Sequence, residues 1–117
     1  MAIIQAIVAL AFLMAGGMKA MQPKEKLREN MGWVDDYSDQ QVKMLGGAEV
    51  LGGLALILSA WTTSQLLLLL GGVAALCLAV LMGGAVYTHL KRNETMMMIP
   101  GAVLGILSII IAFSLLI

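Results

Sequence analysis

Charge is scarce in this chain, and the scarcity bounds the rest. Of 117 residues, 12% are charged and 61% are hydrophobic, and the formal net charge is zero. So few charges cannot cover that much apolar surface in water, so the composition is that of an integral membrane protein folded as one compact domain. With no basic patch and no interleaved aromatics, nucleic acid is excluded as a partner. A single cysteine, Cys77, excludes an intrachain disulfide. Its place inside an apolar run makes the thiol a small hydrophobe. One histidine and one cysteine do not make a zinc site. There is no HExxH, no CxxC, no phosphate-cradling loop and no Ser-His-Asp set. No catalytic residue and no metal ligand is assigned.

What the chain does have is four long apolar runs, at about 2–18, 43–61, 66–90 and 96–117. A helix needs about 20 apolar residues to cross a hydrocarbon core about 30 Å thick. The first run is marginal by that measure, and Lys19 completes it by reaching toward headgroups. Backbone groups in lipid must be satisfied within the segment, so the runs are helices. The expected fold is all-α, an antiparallel four-helix bundle in the membrane. The N-terminus lacks the basic start of a signal peptide and is read as a retained helix. The alternative is that Ala15-Gly16-Gly17 imitates a cleavage site.

The connection 19–42 carries Pro23 and then KEKLRENMGW, which can form a short amphipathic helix lying at the interface, a depth that suits Trp33 and Tyr37. Ser38 and Gln41 read as a capping box, so the second helix starts near Asp39. The 61–65 connection is short and uncharged and makes a tight hairpin. Pro100 is placed in the first turn of the fourth helix, where proline is tolerated.

Glycine marks the expected contacts. Gly71, Ala75, Ala79 and Gly83 recur every four residues, with Tyr87 continuing the stripe. Gly46, Glu49 and Gly53 share a face, and Gly101 and Gly105 form a GxxxG pair. On this reading Ala79→Leu disrupts the bundle and Leu78→Ala does little.

Glu49 stands apart from the other acids. Six of the seven (Glu25, Glu29, Asp35, Asp36, Asp39, Glu94) lie in polar segments, and only Glu49 lies inside an apolar run. An ionised carboxylate in hydrocarbon faces a partner or a polar cavity. Glu49 is about 9 Å along the helix from Lys43. Lys19, Tyr87, Thr88 and His89 end their helices on the same side. A polar layer of Lys19, Glu49, Tyr87, Thr88 and His89 is therefore expected, with Lys19–Glu49 as an ion pair and Tyr87 or His89 serving the spare oxygens. Two roles stay open: a structural pin between helices, or a pocket for a small amphipathic ligand. Gln5 is expected to bond to a neighbouring helix. The ten methionines are lipid-facing or core filler.

The runs FLMAGGMKAM, MGW, KMLGGAEVLGGLALIL and GAVYTHLKRNE resemble the DoxX-like membrane protein family. The matching positions are Gly17 and Lys19, then Gly46, Glu49 and Gly52, then Ala85, Tyr87, Thr88 and His89, over residues 12–94; the fourth helix matches in hydrophobicity only. The resemblance implies a four-helix membrane bundle. Named relatives include the small subunit of a thiosulfate:quinone oxidoreductase and membrane partners of redox-stress proteins. It therefore implies an accessory or ligand-binding role near quinone or thiol redox chemistry, in a bacterial cytoplasmic (inner) membrane. A quinone is the cofactor in question, and the partners are membrane lipid, a redox protein or a second copy of the chain. The chain lacks a cysteine pair and a cofactor motif, so it is read as non-catalytic on its own. The alternative is a small proton-coupled exporter using Glu49. Small multidrug transporters share the length and the four helices. They carry the acid on the first helix, however, and the dual-topology kind lacks a strong basic bias.

The bias here is complete. All seven basic residues (Lys19, Lys24, Lys26, Arg28, Lys43, Lys91, Arg92) flank the first and third connections. Both termini are then outside and residues 19–42 are cytoplasmic. A cysteine placed at Ser64 should react with an impermeant label added outside, and one at Asn30 should not. The reverse pattern would invert the topology.

Overall fold

The computed structural model describes residues 1–28 and 32–117. Its elements are α1 (Ala2–Met21), a short α2 (Lys24–Leu27), a 3-10 turn (Gly32–Asp36), α3 (Asp39–Ala60), α4 (Gln65–Lys91) and α5 (Thr95–Leu116). The four long helices are each apolar and long enough to cross a bilayer. They form an all-α four-helix bundle. One end carries the basic residues and is called the charged end below; the other holds the 61–64 hairpin.

Local signals set the helix ends. Ser38 Oγ accepts from the Gln41 N–H and Gln41 Oε1 accepts from the Ser38 N–H, so the capping box is present and α3 starts at Asp39. α4 ends in a Schellman turn. The Glu94 N–H donates to the His89 carbonyl at 2.8 Å and the Asn93 N–H to the Leu90 carbonyl at 3.1 Å. Asn93 sits at φ 60°, a left-handed conformation that asparagine accepts more readily than most residues. α5 starts at Thr95, which moves Pro100 into the second turn. The expected first-turn placement is thereby corrected. Proline has no N–H to give, so the Met96 carbonyl lacks its helical donor.

Packing divides the bundle into two pairs. α1 lies along α3, and α4 lies along α5, while α3 and α4 meet over a shorter length. In the first pair the backbones touch. A Cβ built on Gly16 would lie 2.6 Å from the Gly46 carbonyl oxygen, and one on Gly46 would lie 2.6 Å from the Gly16 carbonyl oxygen. Only glycine permits that approach at both positions. The second pair closes where Gly105 meets Met82 and Gly101 meets Ala85. The core between the pairs is built from Phe12, Leu56, Ala75, Leu78 and Ile111. Near the hairpin, Gln5 Nε2 donates to the Leu56 carbonyl at 3.3 Å and to Ser59 Oγ at 3.2 Å, the interhelical bond expected of Gln5.

The stripe on α4 is corrected in part. Gly71 and Ala75 are buried, but Gly83 has nothing within contact of an added Cβ and Tyr87 is 66% exposed. Four residues advance a helix by about 400°, so a strict four-residue stripe drifts by about 40° per step. By Tyr87 it has left the interface. The buried line is Gly71, Ala75, Leu78, Met82 and His89 instead.

The connection after α1 carries the short α2 and packs back against the start of α3. Leu27, Val34 and Val42 form a small buried cluster against which Trp33 and Tyr37 pack. The part of the expected amphipathic helix at residues 29–31 lies outside the described residues.

Leu78 is 1% exposed and fills the space beside Gly52. Leu78→Ala should therefore destabilise the protein, reversing the expectation from the stripe. The cost should be about 2 kcal/mol, near the low end of the range for soluble cores, since lipid rather than water is displaced. Reversible unfolding in detergent measures it; a loss no larger than that of Val80→Ala, on the exposed side of the same helix, would contradict the assignment.

Candidate functional site

The glycine contact between α1 and α3 also fixes the acid. With Gly16 against Gly46, the Glu49 Cβ lies over Gly16 and the Lys19 Cβ lies over Gly46, so the two side chains meet across the contact. Lys19 Nζ donates to Glu49 Oε1 at 2.6 Å. Glu49 is 2% exposed and the Lys19 side chain 12%. The pair is buried among the helices rather than turned to lipid. Trp33 covers it, with Lys19 Nζ 5.4 Å from the ring centroid, a cation–π distance. Tyr37 stands edge-on to Trp33, centroids 5.7 Å apart.

One oxygen of this pair is left over. Glu49 Oε2 is buried and has no hydrogen-bond partner among the described residues. A buried acceptor without a donor costs about 1–3 kcal/mol, more when charged. Of the two residues expected to serve it, Tyr87 is turned outward and His89 bonds elsewhere. His89 Nδ1 lies 3.1 Å from Glu94 Oε1, an oxygen that also accepts from Arg92 Nε at 3.1 Å. The Schellman turn puts Glu94 there. Thr88 Oγ1 donates to the Gly84 carbonyl at 2.9 Å and pairs with Tyr37 Oη at 2.9 Å.

Glu49 also borders a cavity of about 420 Å³. Lys19, Glu49, Thr88 and His89 all line it, so four of the five expected polar residues share one space. Tyr87 does not line it. It is turned outward by the helical drift and lines a shallow groove with Lys91 and Arg92. Phe12, Leu81, Met82 and Leu104 supply apolar walls, and Trp33 and Tyr37 form the roof at the charged end.

Sequence reasoning missed the roof and the α5 wall of Met97, Pro100 and Gly101. Pro100 was the one available signal, since a proline inside a span marks irregular backbone that tends to line a cavity. For Trp33 and Tyr37, interfacial depth was legible but direction was not.

The fold and this cavity define a membrane-embedded helical bundle with a polar group buried inside its charged end. A family model described as DoxX-like matches residues 3–111. The chain belongs to the DoxX-like family and is an integral membrane protein. The match is wider than the 12–94 that carried the resemblance and takes in most of α5. The chain matches no curated protein, and it matches no solved structure.

Removing the anion should expose the dependence of the bundle on the pair. Glu49→Leu leaves the Lys19 ammonium buried and unmatched and should cost on the order of 3 kcal/mol. Glu49→Gln keeps an acceptor for Lys19 and should cost clearly less. Thermal unfolding in detergent separates them, and equal stability of the two variants would mean that the pair does not hold α1 to α3.

Proposed function

We propose that the chain is a non-catalytic, ligand-binding membrane subunit whose cavity receives the polar head of a lipid-soluble, quinone-like molecule. The observation that carries this reading is Glu49 Oε2, buried without a donor beside a largely apolar cavity. Ligand pockets combine apolar walls with a few fixed polar groups, and this one has that balance. A hydroxyl on a bound ring would donate to Oε2. Its other polar atom would meet the Thr88 and His89 wall. Lys19 holds the carboxylate in place and neutralises it, so the acceptor is positioned before the ligand arrives.

The same reading gives the chain its setting. The cavity lies at the end carrying the basic residues, which the positive-inside rule puts on the cytoplasmic side of a bacterial membrane. With no redox group of its own among its motifs, the subunit would present the molecule to a redox protein docked at that end.

Native mass spectrometry of gently extracted protein tests the proposal. Wild-type protein should retain a small apolar molecule of quinone-like mass. Glu49→Gln should still fold, with a melting temperature well above that of Glu49→Leu, and lose at least tenfold in affinity, about 1.4 kcal/mol, because it removes the anionic acceptor. Equal retention by the two would overturn the role of Glu49. Proton-coupled efflux of an amphipathic cation from liposomes, abolished by the same substitution, would make the chain an exporter instead.

A further inference from the structure

α3 and α4 leave the hairpin together and then part. Near the hairpin they are in contact: Gly71 of α4 lies against Ser59, and further along Gly52 of α3 takes the Leu78 side chain at van der Waals distance. Beyond that point the facing positions are no longer covered. Ala48 is exposed on the side of α3 that carries Gly52 and Leu45. On α4, Val80 is 75% exposed, and a Cβ added at Gly84 would meet nothing within 4 Å. Leu45, Val80 and Gly84 nevertheless line the cavity that holds Glu49.

The gap is closed again at the charged end. Tyr37 precedes α3 and bonds across to Thr88 of α4 at 2.9 Å. Lys43 Nζ donates to the Gln22 carbonyl at 3.3 Å, tying the returning connection to α3. Trp33 sits over Lys19. The result is a window between two helices. Leu78 bounds it on the hairpin side and the Tyr37–Thr88 bond on the charged side. Its frame of Leu45, Val80 and Gly84 is wholly apolar, and all three belong to the apolar spans.

From this we infer that the cavity is filled sideways from the bilayer, by a molecule with a polar head and a hydrocarbon tail. The head goes to Glu49 and the tail stays in the window between α3 and α4, continuing into the lipid. The inference rests on the proposed binding role of Glu49 and adds the class of ligand and its route. A water-soluble ligand would have to displace Trp33 and break the Tyr37–Thr88 bond to enter. A tailed one meets an opening with no polar group to desolvate, and its tail need never leave hydrocarbon.

The test uses the full chain in detergent micelles and a substitution that fills the window. A Cβ at Gly84 meets nothing within 4 Å, so Gly84→Phe places a ring at the window and leaves the Gly84 carbonyl available to Thr88. The probes are a decyl-tailed dimethoxy-methyl-hydroquinone and its parent without the tail, both kept reduced so that a ring hydroxyl can donate to Glu49. Quenching of Trp33, in a Trp61→Phe background, reads binding. Wild type should bind the tailed probe at least tenfold more tightly than the parent. Gly84→Phe should remove that difference, at an unchanged melting temperature. Full tail selectivity in Gly84→Phe overturns the window. Loss of head binding in Glu49→Gln together with an unaffected tail preference in Gly84→Phe would keep the proposed function and reject the route. A tail preference lost in Gly84→Phe but indifferent to Glu49→Gln would do the reverse. Failure of wild type to bind either probe, or to retain any tailed lipid on native extraction, rejects both.

Discussion

The approach of α1 to α3 at Gly16 and Gly46 is the constraint on which the rest of the structure depends. Without side chains at those positions the two backbones come into contact. That proximity makes a 2.6 Å bond between Lys19 and Glu49 possible one turn away. In hydrocarbon neither charge is tolerable alone, and the pair is tolerable only because the helices hold it in register. The glycines place the charges, and the charges keep the glycines opposed. At the other end of the same pair, Gln5 reaches Leu56 and Ser59. Polar bonds at both ends fix how α1 is rotated against α3, which dispersion between apolar faces would leave less sharply defined.

The cavity follows from what that pair does not cover. α5 buries only Ser108, Ile111 and Ala112, all toward the end far from the charges. Its first turns, with Pro100, stand off the core and leave space next to Glu49. The connection between α1 and α3 fills the aqueous side of that space with Trp33 and Tyr37. The site is thus assembled from three sources: an ion pair on one helix pair, the Thr88–His89 end of the other, and a folded-back loop.

Composition and run length made the helices legible in the sequence, because backbone in lipid has so few ways to satisfy itself. The capping box at Ser38 and the isolation of Glu49 were legible for the same kind of reason, each being a local demand with one answer. Lys19 was reachable as the partner of Glu49 because few other charges lay at that depth. Tyr87 was misread because a four-residue repeat looks like a face over two turns and is not one over five. Leu78 was misread because small residues drew the interface toward themselves, although the glycines of one helix make room for large side chains of another. Trp33 and Tyr37 could be given a depth but not a direction, since loop geometry decides where their rings point.

The division into two helix pairs has a mechanical side. α1 with α3, and α4 with α5, are each bound along much of their length, while the pairs are joined covalently only at 61–64. That connection and the cavity lie at opposite ends of the molecule. The arrangement is a pair of tongs with its spring at one end and its jaws at the other. With a lever of about 30 Å along α4, a rotation of about 5° at the hairpin moves the cavity wall by about 2–3 Å. The Tyr37–Thr88 bond links the jaws at their tip. Breaking that one hydroxyl pair would therefore loosen the grip of the jaws where a small rotation moves them furthest.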